Sequence, residues 1–296
     1  MRIAVTGKVG QVVTSLIERG STAGHEVIAL GRPELDLANP ASVARALEAA
    51  APDAIVSAAA YTAVDKAESE SDVAHSVNCR GAGAVAQAAK ALGVPLVHVS
   101  TDYVFDGRLD RPYVESDATG PTGAYGASKL AGEQAVLAAC GDNSAVLRVA
   151  WVYSPFGANF VKTMLRLAGG HDEVSVVADQ LGNPTSALDI AEGIIRVATN
   201  MATDSSPDLR GTFHMTASGE ASWADFAVAI FAASAARGGP SARVKRITTA
   251  DYPTPAKRPA NSRLDCGLIA RVHGVALPDW RGSLETVIAR LQPAAN

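Results

Sequence analysis

The segment Arg2-Ile3-Ala4-Val5-Thr6 is an apolar run that stops at Gly7, and an apolar-periodic stretch over residues 11–19 follows almost at once. That is a strand, a glycine turn and a helix, the opening unit of an α/β chain. The turn Thr6-Gly7-Lys8-Val9-Gly10-Gln11-Val12-Val13 nearly makes the G-x-x-G-x-x-G form that binds a dinucleotide. In such a turn Gly7 makes the tight bend and Gly10 lets the backbone approach a pyrophosphate. The free N–H groups of the helix N-terminus then face the phosphates. Val13 stands where a third glycine normally allows close helix–strand packing, so a plain glycine-rich turn is the alternative. Its place in the first βα unit favours the nucleotide.

The same rhythm continues along the chain. Residues 26–30 read as a second strand ending in Gly31-Arg32-Pro33, and a helix opens at Asn39-Pro40, where proline is tolerated in a first turn. A third strand, 53–57, runs into Ala58-Ala59-Ala60-Tyr61, small residues that either let the backbone pass beside a flat cofactor or simply pack. Residues 64–92 read as largely helical with a break near Asp72. A strand from Leu96 leads into Ser100-Thr101, and a polar loop over 102–121 is long enough to suggest function. A helix then carries Tyr125 and Lys129 to about residue 139, with a fifth strand at 145–149 and a sixth at 174–177. This alternation predicts a doubly wound parallel sheet of Rossmann type.

Beyond Thr199 the rhythm weakens. A strand at Phe213-His214-Met215, a helix over 222–235 capped by Ser222, irregular chain at Pro253, Pro255 and Pro259, and a final helix over 283–291 suggest a smaller, interleaved substrate-binding lobe. The expected division is 1–149 and 172–205 for the dinucleotide-binding domain, with 150–171 and 206–296 for the lobe. A length of 296 residues suits one large domain or two intimately joined ones. A net charge of −4 gives no reason to expect nucleic acid or a membrane surface as partner. Cys79, Cys140 and Cys266 show neither metal-ligand spacing nor a disulfide framework, which fits a reducing compartment. Met1 runs straight into the first strand and no apolar run reaches the ~18 residues of a membrane span, so a cytoplasmic protein is expected.

Chemistry is concentrated in Tyr125-Gly126-Ala127-Ser128-Lys129, where Tyr and Lys four residues apart share one helix face. A phenol with a reference pKa of about 10 is a poor acid–base catalyst at neutral pH, and a nearby ammonium favours the phenolate. The Ser100 and Thr101 hydroxyls follow a buried strand, at the end where open α/β sheets bind ligands. Taken alone, the Tyr–Lys spacing also fits a solvated lysine beside a packing tyrosine. Arg32 follows the second strand, where the adenosine ribose should pass and where NAD-binding units often carry an acidic residue. A guanidinium there suits the 2′-phosphate of NADPH, and NADH remains possible. A solvated loop arginine, or Glu34 as the ribose ligand, is the alternative.

Gly7-Lys8-x-Gly10-Gln11-Val12, the run Ala58 to Glu68, Ser100-Thr101-Asp102-Tyr103-Val104-Phe105-Asp106-Gly107, Tyr125-Gly126-x-Ser128-Lys129, Trp151-Val152-Tyr153, Asn159-Phe160, Asp179-Gln180-x-Gly182-x-Pro184-Thr185 and Arg258-Pro259-x-Asn261-Ser262-x-Leu264 occur in order along the chain. By these motifs the whole chain resembles the extended short-chain dehydrogenase/reductases. Within them it is similar to the branch that reduces the C4 ketone of dTDP-4-dehydro-β-L-rhamnose. The resemblance implies Thr101, Tyr125 and Lys129 as the catalytic set. It implies a cofactor site lined by Gly7, Gly10, Gln11, Val12, Asp36, Leu37, Ala58, Ala59 and Tyr61, with Tyr125 and Lys129. Trp151, Asn159, Gln180 and Arg258 join Thr101 and Tyr125 as candidates for the sugar nucleotide. For Trp151 the competing reading is a core aromatic, and for Arg258 a surface salt bridge. Rival activities are a sugar-nucleotide epimerase or dehydratase, and a non-catalytic regulatory subunit of the same fold. Some relatives dimerise around magnesium held by glutamates. Ser15 occupies one of those positions here and is a poor ligand for a hard cation, so the expectation is no metal, and a monomer or a metal-independent homodimer.

Overall fold

The computed structural model describes residues 1–292. Its centre is a six-stranded sheet of β1 (Arg2–Thr6), β2 (Glu26–Leu30), β3 (Ala54–Ser57), β4 (Leu96–Thr101), β5 (Ser144–Val149) and β6 (Gly211–His214), in the order β6-β5-β4-β3-β1-β2. Every pairing in it is parallel. Strands covered on both faces read as nearly continuous apolar runs, and each face here has its own core. Ile3, Val5, Val56, Val97, Leu147 and Phe213 pack beneath the helices Gln11–Thr22 and Ala187–Thr203. Ala4, Ile55, Leu96 and Val146 face the helices Pro40–Ala50, Ala82–Leu92 and Ala124–Cys140.

The sixth strand is a correction. Glu173–Val177 lies outside the main sheet and pairs in parallel with Arg243–Ile247 in a two-stranded sheet of its own. Only Val174 and Val176 point inward along it, while Glu173 and Ser175 stay exposed. That alternation belongs to a strand with one buried face. The strand read around Phe213, placed by sequence in the smaller lobe, is instead β6, in register with Ala145 to Arg148 of β5.

The break in the segment 64–92 falls at residues 68–70, just before Asp72, between the helices Val64–Ala67 and Ser71–His75. A π-helical turn, Ser76–Gly81, then leads into Ala82–Leu92. The smaller lobe packs the helices Phe160–Ala168, Trp223–Ala235 and Trp280–Leu291 around Tyr153, Val161, Phe226, Ile230 and Trp280. Ser222 caps the second of these in a capping box: its Oγ accepts from Asp225 N at 3.0 Å, and Asp225 Oδ2 accepts from Ser222 N at 3.1 Å. The last helix starts three residues before the expected Ser283, because Asp279 accepts from Arg281 N and serves as its N-cap. The lobe is tied down where Ser283 donates to Asp189 of the helix Ala187–Thr203.

Candidate active site

Strand order reverses between β1 and β3, and the crevice outside the carboxyl ends of such neighbours is where open α/β sheets take ligands. Both small-residue segments singled out in the sequence end there. Gly7 has φ +104°, a left-handed conformation that favours glycine, and a Cβ on it would lie 3.1 Å from Val13 Cγ2 and 3.4 Å from Ala59 Cβ. A Cβ on Gly10 would meet only Val13 Cγ2, at 3.8 Å. The helix beginning at Gln11 has no side-chain cap and no acidic residue in its first turn. Val9 on the turn is 84% exposed. An uncapped, positive helix end beside an open glycine fits a diphosphate. Val13 does not block it: the side chain is buried in the core against the sheet.

Across the crevice, Ala58 N and Ala59 N each donate to Thr6 Oγ1 at 3.0 Å. Tyr61 N donates to Asn78 Oδ1 at 2.7 Å, and Asn78 Nδ2 donates to Tyr61 O and Ser128 Oγ. One buried asparagine thus ties the segment after β3 to the helix carrying Tyr125. Gln11 Oε1 accepts from Ser154 Oγ at 2.8 Å and from Asn159 Nδ2 at 3.0 Å. Asp36 Oδ1 accepts from Ala38 N, and Leu37 is buried against Gly81. Lys8 pairs with Glu34 and also donates to the Arg32 carbonyl, while Arg32 itself is exposed.

Thr101 ends β4, its Oγ1 donating to Asp102 Oδ1 at 3.0 Å and accepting from Tyr103 N at 3.3 Å. The Tyr103 and Tyr125 rings meet edge to face at 5.5 Å. Burial pushes the Tyr125 phenol well above its ordinary range, the Asp102 charge pushes the same way, and a hydrogen bond with Thr101 opposes them. Sequence spacing suggested the opposite direction, through Lys129. The structure instead engages the Lys129 ammonium with the Val99 carbonyl at 2.7 Å. Burial lowers that ammonium to about 8, against the raising influence of Glu133. Burial thus keeps the phenol protonated, and by itself it makes the phenol a weaker acid than the sequence spacing implied. Asp102 is only 3% exposed, burial pushes its carboxyl up to about 6, and its Oδ2 has no hydrogen-bond partner among the described residues.

On the far side of the crevice, Trp151 follows β5 with φ +46°, an unusual backbone for an aromatic residue. Its ring stacks on Trp223 at 3.6 Å and lies over Gly182, where no side chain could fit. Gln180 is buried and donates to Thr249 Oγ1 at 3.0 Å. Asn159 caps the helix Phe160–Ala168, and its amide is spent on Gln11, Ser154 and Phe156. Arg258 reaches back to Asp65, NH1 at 3.2 Å from Oδ1 and NH2 at 2.9 Å from Oδ2. It borders a cavity of about 320 Å³ that Arg108, Thr122, Asp179, Thr249 and Lys257 also line. Asn78 and Glu133 carry no role in the sequence reading, although a buried-side Asn and Glu on helix faces otherwise rich in Ala were visible there.

The model of the family described as RmlD substrate binding domain matches residues 1–293. A dTDP-4-dehydrorhamnose reductase of Sinorhizobium fredii is 53% identical over 288 residues, covering 97% of each chain. The crystal structure of a dTDP-4-dehydrorhamnose reductase from Clostridium acetobutylicum superposes with a TM-score of 0.91 at 38% identity, covering 99% of this chain and 100% of that one. The enzyme from Bacillus anthracis, solved in complex with NADP, gives 0.89 at 35% identity over 97% of this chain and 98% of its own.

Proposed function

The chain belongs to the RmlD family of extended short-chain dehydrogenase/reductases, and from that membership we infer that it reduces the C4 ketone of dTDP-4-dehydro-β-L-rhamnose to dTDP-L-rhamnose, the last step of dTDP-rhamnose synthesis. The observation that carries this reading is the meeting of Thr101, at the carboxyl end of β4, with the helix of Tyr125, whose ring packs edge to face on Tyr103 at 5.5 Å, on the side of the sheet where the uncapped helix of the glycine turn also ends. A bound nicotinamide cofactor supplies the hydride to C4. Tyr125 donates the proton to the ketone oxygen, so that C=O becomes CH–OH with one hydride and one proton consumed. Thr101 hydrogen-bonds that oxygen and holds it against the phenol. Lys129 presents an ammonium to the nicotinamide ribose and orients it.

Support for the remaining roles is local. Gly7, Gly10, Gln11 and Val12 form the diphosphate turn, and Asp36, Leu37, Ala58, Ala59 and Tyr61 line the adenosine side. Glu34 is engaged by Lys8, which favours Arg32 as the contact to a 2′-phosphate and hence NADPH over NADH. Trp151, Gln180 and Arg258 face the sugar nucleotide, with Asn159 acting on Gln11. The six-stranded sheet and its helices carry the cofactor, and the lobe around Tyr153 and Trp280 carries the sugar nucleotide. The three cysteines are free, as suits the cytoplasm, and no described helix is long and apolar enough to cross a membrane. Reduction with NADPH deuterated at the transferable position tests the chemistry. Deuterium at C4 of a 6-deoxy sugar nucleotide is the expected outcome, and label elsewhere, or none, rejects the reaction.

A further inference from the structure

One turn along the helix from Lys129, the chain buries a second charge. Glu133 is held on both oxygens: Oε1 accepts from Ser100 Oγ and from Arg148 Nε at 3.0 Å, and Oε2 accepts from Arg148 NH2 at 2.7 Å. Arg148 comes from β5, is itself buried, and lies over the Phe105 ring at 5.0 Å, with NH1 3.5 Å from His214 Nε2. The carboxylate therefore has one position. Such a buried pair is weak evidence for a stabilising role, since packed apolar residues often serve as well.

Lys129 supplies a reason for it. Lys129 is only 2% exposed and its ammonium donates to a neutral carbonyl, and a desolvated cation without a counter-anion gives up its proton. The groups around it are few. Tyr125 and Glu133 share its helix, and the Tyr125 phenol is held protonated. His98 on β4 is kept neutral by burial and by the ammonium itself. Asp102, after β4, acts on Tyr125, and Arg148 on β5 sits behind Glu133. Glu133 reaches Ser100, the neighbour of Val99 whose carbonyl holds Lys129, so both side chains end at adjacent residues of β4 and the carboxylate favours the charged amine.

We propose that Glu133, fixed by Arg148 and Ser100, is a positioning residue for Lys129, whose buried amine it keeps charged so that the cofactor meets a cation. This rests on the proposed role of Lys129 toward the nicotinamide ribose. An anion raises the pKa of a neighbouring amine, so removing it lets the neutral amine appear at lower pH. NADPH affinity, measured against pH without sugar nucleotide, should fall in the wild type as pH rises through about 8. In Glu133→Gln that limb should move down by about one pH unit, and in Lys129→Met it should vanish. Arg148→Met should move it up, because the anion loses its competing cation. The double variant E133Q/R148M removes the buried pair together and leaves neither of its members facing an uncompensated partner, which guards against misfolding, and it should keep the downward shift. A limb unmoved in both Glu133 variants, a double variant restored to the wild-type profile, or a limb that survives Lys129→Met would overturn the proposal. Because the readout is cofactor binding, failure to reduce the sugar nucleotide would reject the proposed function and leave this test standing.

Discussion

Tyr125 and Lys129 were legible because helical spacing puts residues four apart on one face. What burial does to them was not, since it depends on Asp102 and Tyr103 arriving from the turn after β4 and on Val99 and Arg148 of the sheet. The Glu133–Arg148 pair joins a helix to a strand across 15 residues, a distance at which sequence gives no pairing signal. Tyr125→Phe should bind NADPH almost normally while kcat falls by roughly 10²–10⁴-fold, the usual worth of a positioned acid; near-normal kcat would remove Tyr125 from the chemistry. Lys129→Met should weaken both turnover and cofactor binding. Combined, the two changes should cost less than the product of the single losses, because the groups act as a unit, and a full product in the double-mutant kinetics would deny that coupling. Arg32→Ala should weaken NADPH by about tenfold to a hundredfold, as loss of a charge-assisted bond does, and leave NADH unchanged. Parallel losses for the two cofactors in a binding titration would take Arg32 away from the ribose.

At the scale of elements, the positions of β1 to β5 followed from apolar runs, the first four of them ended by glycine or small polar residues. The sixth strand was misplaced because both candidates are short and apolar. The exposed Glu173 and Ser175 against the buried Phe213 and His214 are what separate them. The π turn at 76–81 had no sequence signal either. It packs closely on the helix Ala124–Cys140, where a Cβ on Gly132 would collide with the Asn78 carbonyl; a Cβ on Gly126 of the same helix would collide with the Tyr103 carbonyl after β4. Gly132→Ala should therefore destabilise by roughly 1–3 kcal/mol, as overpacking does. Gly126→Ala should in addition lower kcat by shifting Tyr103 and Thr101 relative to Tyr125. Denaturant melts together with steady-state rates check both, and a Gly126→Ala enzyme with native stability and rate would mean that the helix and the β4 turn are not in register as described. Ser222→Ala should cost about 1 kcal/mol through loss of its cap.

For the whole molecule, the α/β alternation made the doubly wound sheet legible, whereas strand order is set by crossovers that no local pattern encodes. Ser15 is buried, its Oγ donating to the Gln11 carbonyl at 2.8 Å, so it offers a cation nothing at the surface. Light scattering should accordingly give one mass with or without EDTA, and a dimer dissociated by EDTA would contradict this. The central claim is that one proton from Tyr125 accompanies one hydride to the C4 ketone. Its most direct test is the stoichiometry of NADPH oxidation on adding a limiting amount of dTDP-4-dehydrorhamnose to the wild type and to Tyr125→Phe. The account predicts one NADPH consumed per sugar nucleotide by the wild type, and almost none by a variant that still binds NADPH. An inert wild type, or a Tyr125→Phe enzyme that oxidises NADPH at the wild-type rate, would contradict it.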